Sequence, residues 1–245
     1  RRRSRGGSKP RSITAGMAFR LATVAWLVIT IGLLTWQQSI NYVRGSVAEG
    51  QAIRHFQEGD LERALEDLDK AIRLAPGVPN YYNNRANLFL AYQLRPEIIR
   101  QPECDRQTEI SYSVCLGTQS LESNLESINR QPFNYRARLA AGNSAFNLSM
   151  SESAIKFYGS AVGMVPSAWG IRNELADSQI NAGLYEDALI QLDLSLAITG
   201  DASQSTRASY LKGRAFQELG RSDEALRALN LGLSFAYSSE SSDAS

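Results

Sequence analysis

The stretch GDLERALEDLDKAIRLAP, Gly59 to Pro76, carries a spacing that the chain repeats with other residues filling it. Small Ala64 is followed after four residues by large Leu68 and after seven by small Ala71. Pro76 comes five later, where a helix must stop because proline has no amide proton to donate. Small residues at these two places let a neighbouring helix approach closely. The register returns at Ser120, Asn124, Ser127 and Pro132; at Ala154, Tyr158, Ala161 and Pro166; at Ala188, Leu192, Ser195 and Gly200; and at Ala225, Leu229 and Gly232. Ala154 to Ala188 is 34 residues and Ala188 to Ala225 is 37. The fold class expected is therefore all-α, an array of paired helices.

A period near 34 with paired amphipathic helices resembles the tetratricopeptide repeat, a helix-turn-helix unit that stacks into a solenoid. An opening unit and four full ones, over residues 38–237, exceed the roughly three needed to bury a continuous core. One unit is interrupted. Tyr82, Ala86 and Phe89 form the apolar face of its first helix, but its closing proline falls at Pro132 instead of near residue 110. The 22 extra residues form a loop around residues 93–114, with the delayed second helix expected from Tyr112 to Asn129.

Outside the array the charge is uneven. The first twenty residues carry seven positive charges and no acid, so a net charge of +1 leaves −6 for the remainder. Residues 1–12 read as a basic arm suited to anionic lipid headgroups; nucleic acid is not expected, because no aromatic or glycine-rich RNA motif accompanies the charge. Leu21 to Trp36 is uncharged, and 24 residues from Ile13 to Trp36 interrupted only by Arg20 are enough to cross a bilayer. Residues 13–37 are accordingly expected to be a transmembrane helix continuing almost directly into the first repeat. A signal-peptide apolar region is the rival reading, and Gln37 to Tyr42 offers it a poor cleavage site. With the basic arm on one side and only Arg44 close on the other, the positive-inside rule puts the N-terminus in the cytoplasm and the repeats outside it. Residues 238–245, SSESSDAS, read as a disordered tail.

Cys104 and Cys115 both fall in the insertion. Outside the cytoplasm they would form a disulfide stapling loop to helix; in a reducing compartment they would be two unrelated thiols. No catalytic constellation, metal site or cofactor motif is expected. His55 is the single histidine, no Gly-x-Ser-x-Gly elbow or phosphate-cradling loop is present, and two cysteines at this spacing are no zinc site.

The tetratricopeptide resemblance implies that the first helices line a concave groove for a protein or peptide. On that face it places Asn80, Asn83 and Asn87; Arg136, Leu139, Asn143 and Phe146; Asn173, Asp177 and Ile180; and Arg207, Tyr210, Arg214 and Gln217. Amides offer one acceptor and two donors each, which suits an extended backbone or the hydroxyls of a glycan. A second resemblance rests on Gln37-Gln38-Ser39, Tyr42-Val43-Arg44-Gly45-Ser46, Tyr112-Ser113-Val114-Cys115-Leu116 and Arg130 to Tyr135. Their order looks like the C-terminal part of bacterial O-antigen ligase-like membrane proteins carrying such repeats. It implies an accessory segment of a glycan-transfer enzyme whose catalytic membrane domain lies outside this chain. The expectation from the residues themselves is a membrane-anchored interaction scaffold, with an architectural subunit of a membrane complex as a further alternative.

Overall fold

The computed structural model describes residues 15–94, 104, 109–199 and 202–243. Ten helices follow one another: α1 (Ala15–Glu58), α2 (Leu61–Leu74), α3 (Pro79–Leu94), α4 (Glu109–Arg130), α5 (Tyr135–Asn147), α6 (Ser151–Met164), α7 (Trp169–Asn181), α8 (Tyr185–Ile198), α9 (Ala202–Glu218) and α10 (Ser222–Asp243). Among the described residues there is no strand. Helices pair in sequence, α1 with α2 and so on to α9 with α10, and each pair packs on the next. The odd-numbered helices form one layer and the even-numbered ones the other. Within the odd layer α3 touches α5 and α7 touches α9, and no two even helices meet as extensively, so the odd layer is the inside of the curve.

The repeated register explains the packing. Ala64, Ala71, Ser120, Ser127, Ala154, Ala161, Ala188 and Ser195 are all buried, as are the large residues Leu68, Asn124, Tyr158 and Leu192 between them. Leu229, the same position in α10, is half-exposed, with its side chain against Gly213 of α9. Gly142 shows why a small residue is needed opposite: a Cβ there would sit 2.5 Å from the Tyr158 ring.

Four turns inside the pairs are built alike. Gly59, Gly183 and Gly220 adopt positive φ, and Ser149 takes the same conformation at the equivalent place. The next residue's amide bonds to a carbonyl five residues back, Asp60 to His55, Met150 to Ala145, Leu184 to Gln179 and Arg221 to Phe216. This is the Schellman closure, which satisfies a carbonyl that the helix end leaves without an intrahelical donor. The turns between pairs use a different device. Six residues after each closing proline a side chain reaches back to the proline carbonyl: Tyr82 to Pro76, Arg138 to Pro132 and Arg172 to Pro166. The two turn types lie at opposite edges of the array.

Helix α1 is continuous from the apolar run into the first repeat, and at 44 residues it is about 66 Å long. It is the one described helix long and apolar enough to cross a membrane. From Val24 to Trp36 its large apolar side chains are uncovered, while Gly45, Ala48 and Ala52 are buried against α2 and α3. Residues 13 and 14 of the expected span, and the basic arm, lie outside the described residues.

Two expectations are corrected here. The tail from Ser238 is not irregular throughout, since α10 runs through Asp243. Neither Pro nor Gly interrupts the chain after Gly232, and extending an established helix costs far less than starting one. Asn173 is completely buried, so it does not line the groove. Most of the loop around residues 93–114 lies outside the described residues. Cys104 is described: it is bonded to Cys115 with a Cα–Cα distance of 5.9 Å and is buried among Leu88, Phe89, Tyr92 and Leu116.

Candidate functional site

The inner face of the odd helices can be read residue by residue. On α7 the positions open to the groove are Gly170, Glu174, Asp177 and Asn181, spaced four, three and four apart along one stripe. Shifted back by 34 residues, the same stripe on α5 is Arg136, Ala140, Asn143 and Asn147. The expected positions Asn173, Ile180, Leu139 and Phe146 lie one residue to the side. One residue on a helix is a rotation of about 100°, which turns them from the groove towards the core. Asn173 and Ile180 are buried, and Leu139 and Phe146 pack against the cluster around Tyr158.

The C-terminal half of the groove is a polar network. Arg207 donates both guanidinium arms to Glu174, at 2.5 and 2.8 Å, and lies 3.8 Å from Asp177. Arg214 donates to Asp177 at 3.0 Å and to Asn181 at 3.3 Å. The hydrogen bond from Arg207 to Glu174 holds its guanidinium pKa above the ordinary value, against the effect of burial. Tyr158 donates to Asn143 Oδ1 at 2.7 Å, and burial raises its phenol above the usual tyrosine range. The structure thus brings Asn143, Asp177, Arg207 and Arg214 to one surface, with the two arginines already paired. Tyr210 is exposed beside them. Glu174 was missed by sequence reasoning; its spacing of three from Asp177 and seven from Asn181 was the available signal.

The N-terminal half differs in character. Ala52, Ile53, Phe56, Ala64, Leu68, Asn84, Asn87 and Leu88 line a cavity of about 130 Å³ between α1, α2 and α3. Ile53 is 46% exposed and Phe56 45% exposed, so an apolar floor faces solvent. Asn87 is exposed above it; Asn84 donates to Glu49 at 2.8 Å. Burial pushes the Glu49 carboxyl up from its ordinary value, and a hydrogen bond with Asn80 partly opposes this. Asn80 is exposed and Asn83 half-buried. Arg136 lies at the first turn of α5, where it contacts Tyr135 instead of joining the network. His55 bonds Asp67 at 3.1 Å, and no group of three or more His, Cys, Asp or Glu side chains fit to hold a metal occurs among the described residues.

Tetratricopeptide-repeat family models match residues 55–77 and 139–205, the first spanning the α1–α2 turn and the second running from α5 into α9. These two stretches are tetratricopeptide repeats. Several solved structures share the fold. A MamA protein aligns over 78% of this chain and 91% of its own with a TM-score of 0.64 at 14% identity. MamA from Desulfovibrio magneticus RS-1 aligns over 80% and 96% with a TM-score of 0.64 at 10% identity. YrrB, described as a TPR protein with an unusual peptide-binding site, aligns over 77% and 84% with a TM-score of 0.61 at 16% identity. At these identities the likeness concerns the fold. No curated protein sequence matches the chain. A tetratricopeptide solenoid is a protein-interaction scaffold whose stacked inner helices offer an extended concave surface.

Proposed function

We propose that this chain is a membrane-anchored tetratricopeptide scaffold that holds an extended peptide segment of a partner protein along its groove, on the extracytoplasmic side of the membrane. The observation carrying the reading is the juxtaposition in the first two units of an uncovered apolar floor, Ile53 and Phe56, with the exposed amide of Asn87 and a small cavity beside them. An apolar side chain of the partner enters that cavity while its backbone meets the Asn87 amide. Further along, the Glu174, Asp177, Arg207 and Arg214 network meets polar side chains of either sign, since each partner of an existing pair keeps a face towards the groove. YrrB supports the choice of a peptide as ligand, because it shares the fold and is described as having a peptide-binding site.

Anchoring is supported by the apolar half of α1, whose large side chains nothing in the array covers. Orientation is inferred from the charge asymmetry across Leu21 to Trp36.

Selection of displayed peptides against the full chain in detergent tests the groove. Peptides with an apolar residue in an extended segment are expected, and Phe56→Asp with Asn87→Ala should weaken them at least about tenfold, as losing one buried apolar contact and one hydrogen bond implies. Selected peptides that bind this folded double variant unchanged would place the site elsewhere. For orientation, single-cysteine probes at Ser8 and Ser238 are labelled with an impermeant reagent in intact cells. Only the Ser238 probe should react, and reaction of the Ser8 probe alone would reverse the topology.

A further inference from the structure

The turns between helix pairs, including Ala75 to Val78 and Gln131 to Asn134, lie at the edge from which α1 enters the array. We infer that this edge rests on the bilayer surface, with Phe133 seated among the lipid headgroups and Arg136 on lipid phosphate. The inference rests on the reading of α1 as a span.

Height along α1 is the first argument. Leu74 to Val78 form one wall of an open cleft whose other wall is Thr35, Gln38, Ser39, Asn41, Tyr42 and Val43. Thr35 belongs to the apolar run, and Val43 is only about 10 Å beyond Trp36 along the helix axis. The headgroup layer on each side of a bilayer is about 5 to 7 Å deep, so the α2–α3 turn stands beside it. The next turn is tied to the same level. Arg130, at the end of α4, donates to the Pro76 carbonyl at 2.5 Å and stacks on Tyr82, its guanidinium 4.1 Å from the ring centroid. Phe133 lies three residues further on and is 88% exposed, more than any other large apolar residue described. A phenylalanine uncovered at the tip of a turn gains nothing from the array; at headgroup depth it leaves water.

Charge is the second argument, and it runs against the helix dipoles. Acids favour helix N-termini and cations C-termini. The even helices obey at the far edge, where α2, α6, α8 and α10 all carry acids in their first turns. At the α1-entry edge, the first turns of α3, α5 and α7 carry none. Arg136 instead occupies the first turn of α5, exposed and with no carboxylate partner among the described residues. Arg138 and Arg172 are accounted for by their bonds to proline carbonyls, whereas Arg136 has no such duty. An edge whose odd-helix first turns carry no acid, and where the Arg136 side chain contacts Tyr135 and no carboxylate among the described residues, beside an exposed aromatic, complements an anionic lipid surface.

The test uses the full chain in nanodiscs of phosphatidylglycerol and phosphatidylcholine. Phe133→Cys carries an environment-sensitive fluorophore, with the Cys104–Cys115 disulfide left intact. Glu152→Cys, exposed at the opposite edge, is the comparator. Blue-shifted emission and loss of intensity to headgroup-level quenching lipids are expected at position 133 and not at 152. Adding Arg136→Glu, or omitting phosphatidylglycerol, should reverse part of the shift. A probe in water at position 133, in protein that stays with the membrane through an alkaline wash, overturns this inference and leaves the span standing. Protein released by the wash overturns both. Equal quenching at the two positions overturns the assignment to one edge, and a shift insensitive to both charge changes removes the role given to Arg136.

Discussion

Gly142 and Gly159 sit in the two helices of one repeat, and the same substitution should have opposite effects at each. A Cβ at Gly142 would lie 2.5 Å from the ring of Tyr158, which is buried and whose hydroxyl donates to Asn143 at 2.7 Å. Gly142→Ala gains about 1 kcal/mol of helix propensity. Against this it forces the ring aside, at about 1 to 3 kcal/mol for overpacking, and loses a hydrogen bond of about 0.5 to 1.5 kcal/mol. The net expectation is a destabilisation of about 0.5 to 3.5 kcal/mol. Nothing lies within 4 Å of a Cβ at Gly159, so Gly159→Ala keeps only the propensity gain and should stabilise by up to about 1 kcal/mol. Urea unfolding of the detergent-solubilised chain, followed by circular dichroism, measures both. Equal effects of the same sign would refute the argument that the small places of the register exist to admit a large residue from the paired helix. The consequence reaches the groove, because the α5–α6 contact fixes where Asn143 is held.

Thiol counting in denaturant without reductant should find no free thiol from Cys104 or Cys115, and Cys104→Ser with Cys115→Ser should cost about 3 kcal/mol, the value for closing a short loop. The Glu49 carboxyl has a folded pKa above its ordinary value, so its contribution to stability is full below that ordinary value and is lost as pH rises through the folded one. Glu49→Gln should therefore be as stable as the parent or more so at neutral pH, with the difference vanishing in acid; a Tm loss confined to neutral pH would contradict the burial argument. Arg207→Ala and Glu174→Ala should each destabilise by about 1 kcal/mol and couple in a double-mutant cycle, since the pair is bidentate but partly exposed. Additive losses would mean the pair is held by its neighbours.

The sequence by itself determined the repeat. Small residues at fixed intervals, such as Ala154 and Ala161 flanking Tyr158, can be read without coordinates because close helix approach requires them wherever they occur. The closing prolines are local for the same reason: a missing donor means the same thing in any context. Which stripe of the odd helices faces the groove was not legible. Asn173 and Glu174 are adjacent in sequence and both polar, yet one is buried and the other receives Arg207 from a helix 33 residues away. A rotation of one residue is decided by the neighbours on three sides of α7, and those belong to α6, α8 and α9. The pairing of Arg207 and Arg214 with carboxylates, the cavity beneath Phe56, and the level of Phe133 beside Pro76 likewise depend on contacts between distant segments. Periodicity says that helices stack; their mutual rotation is set by how their side chains pack, which only the tertiary structure reveals.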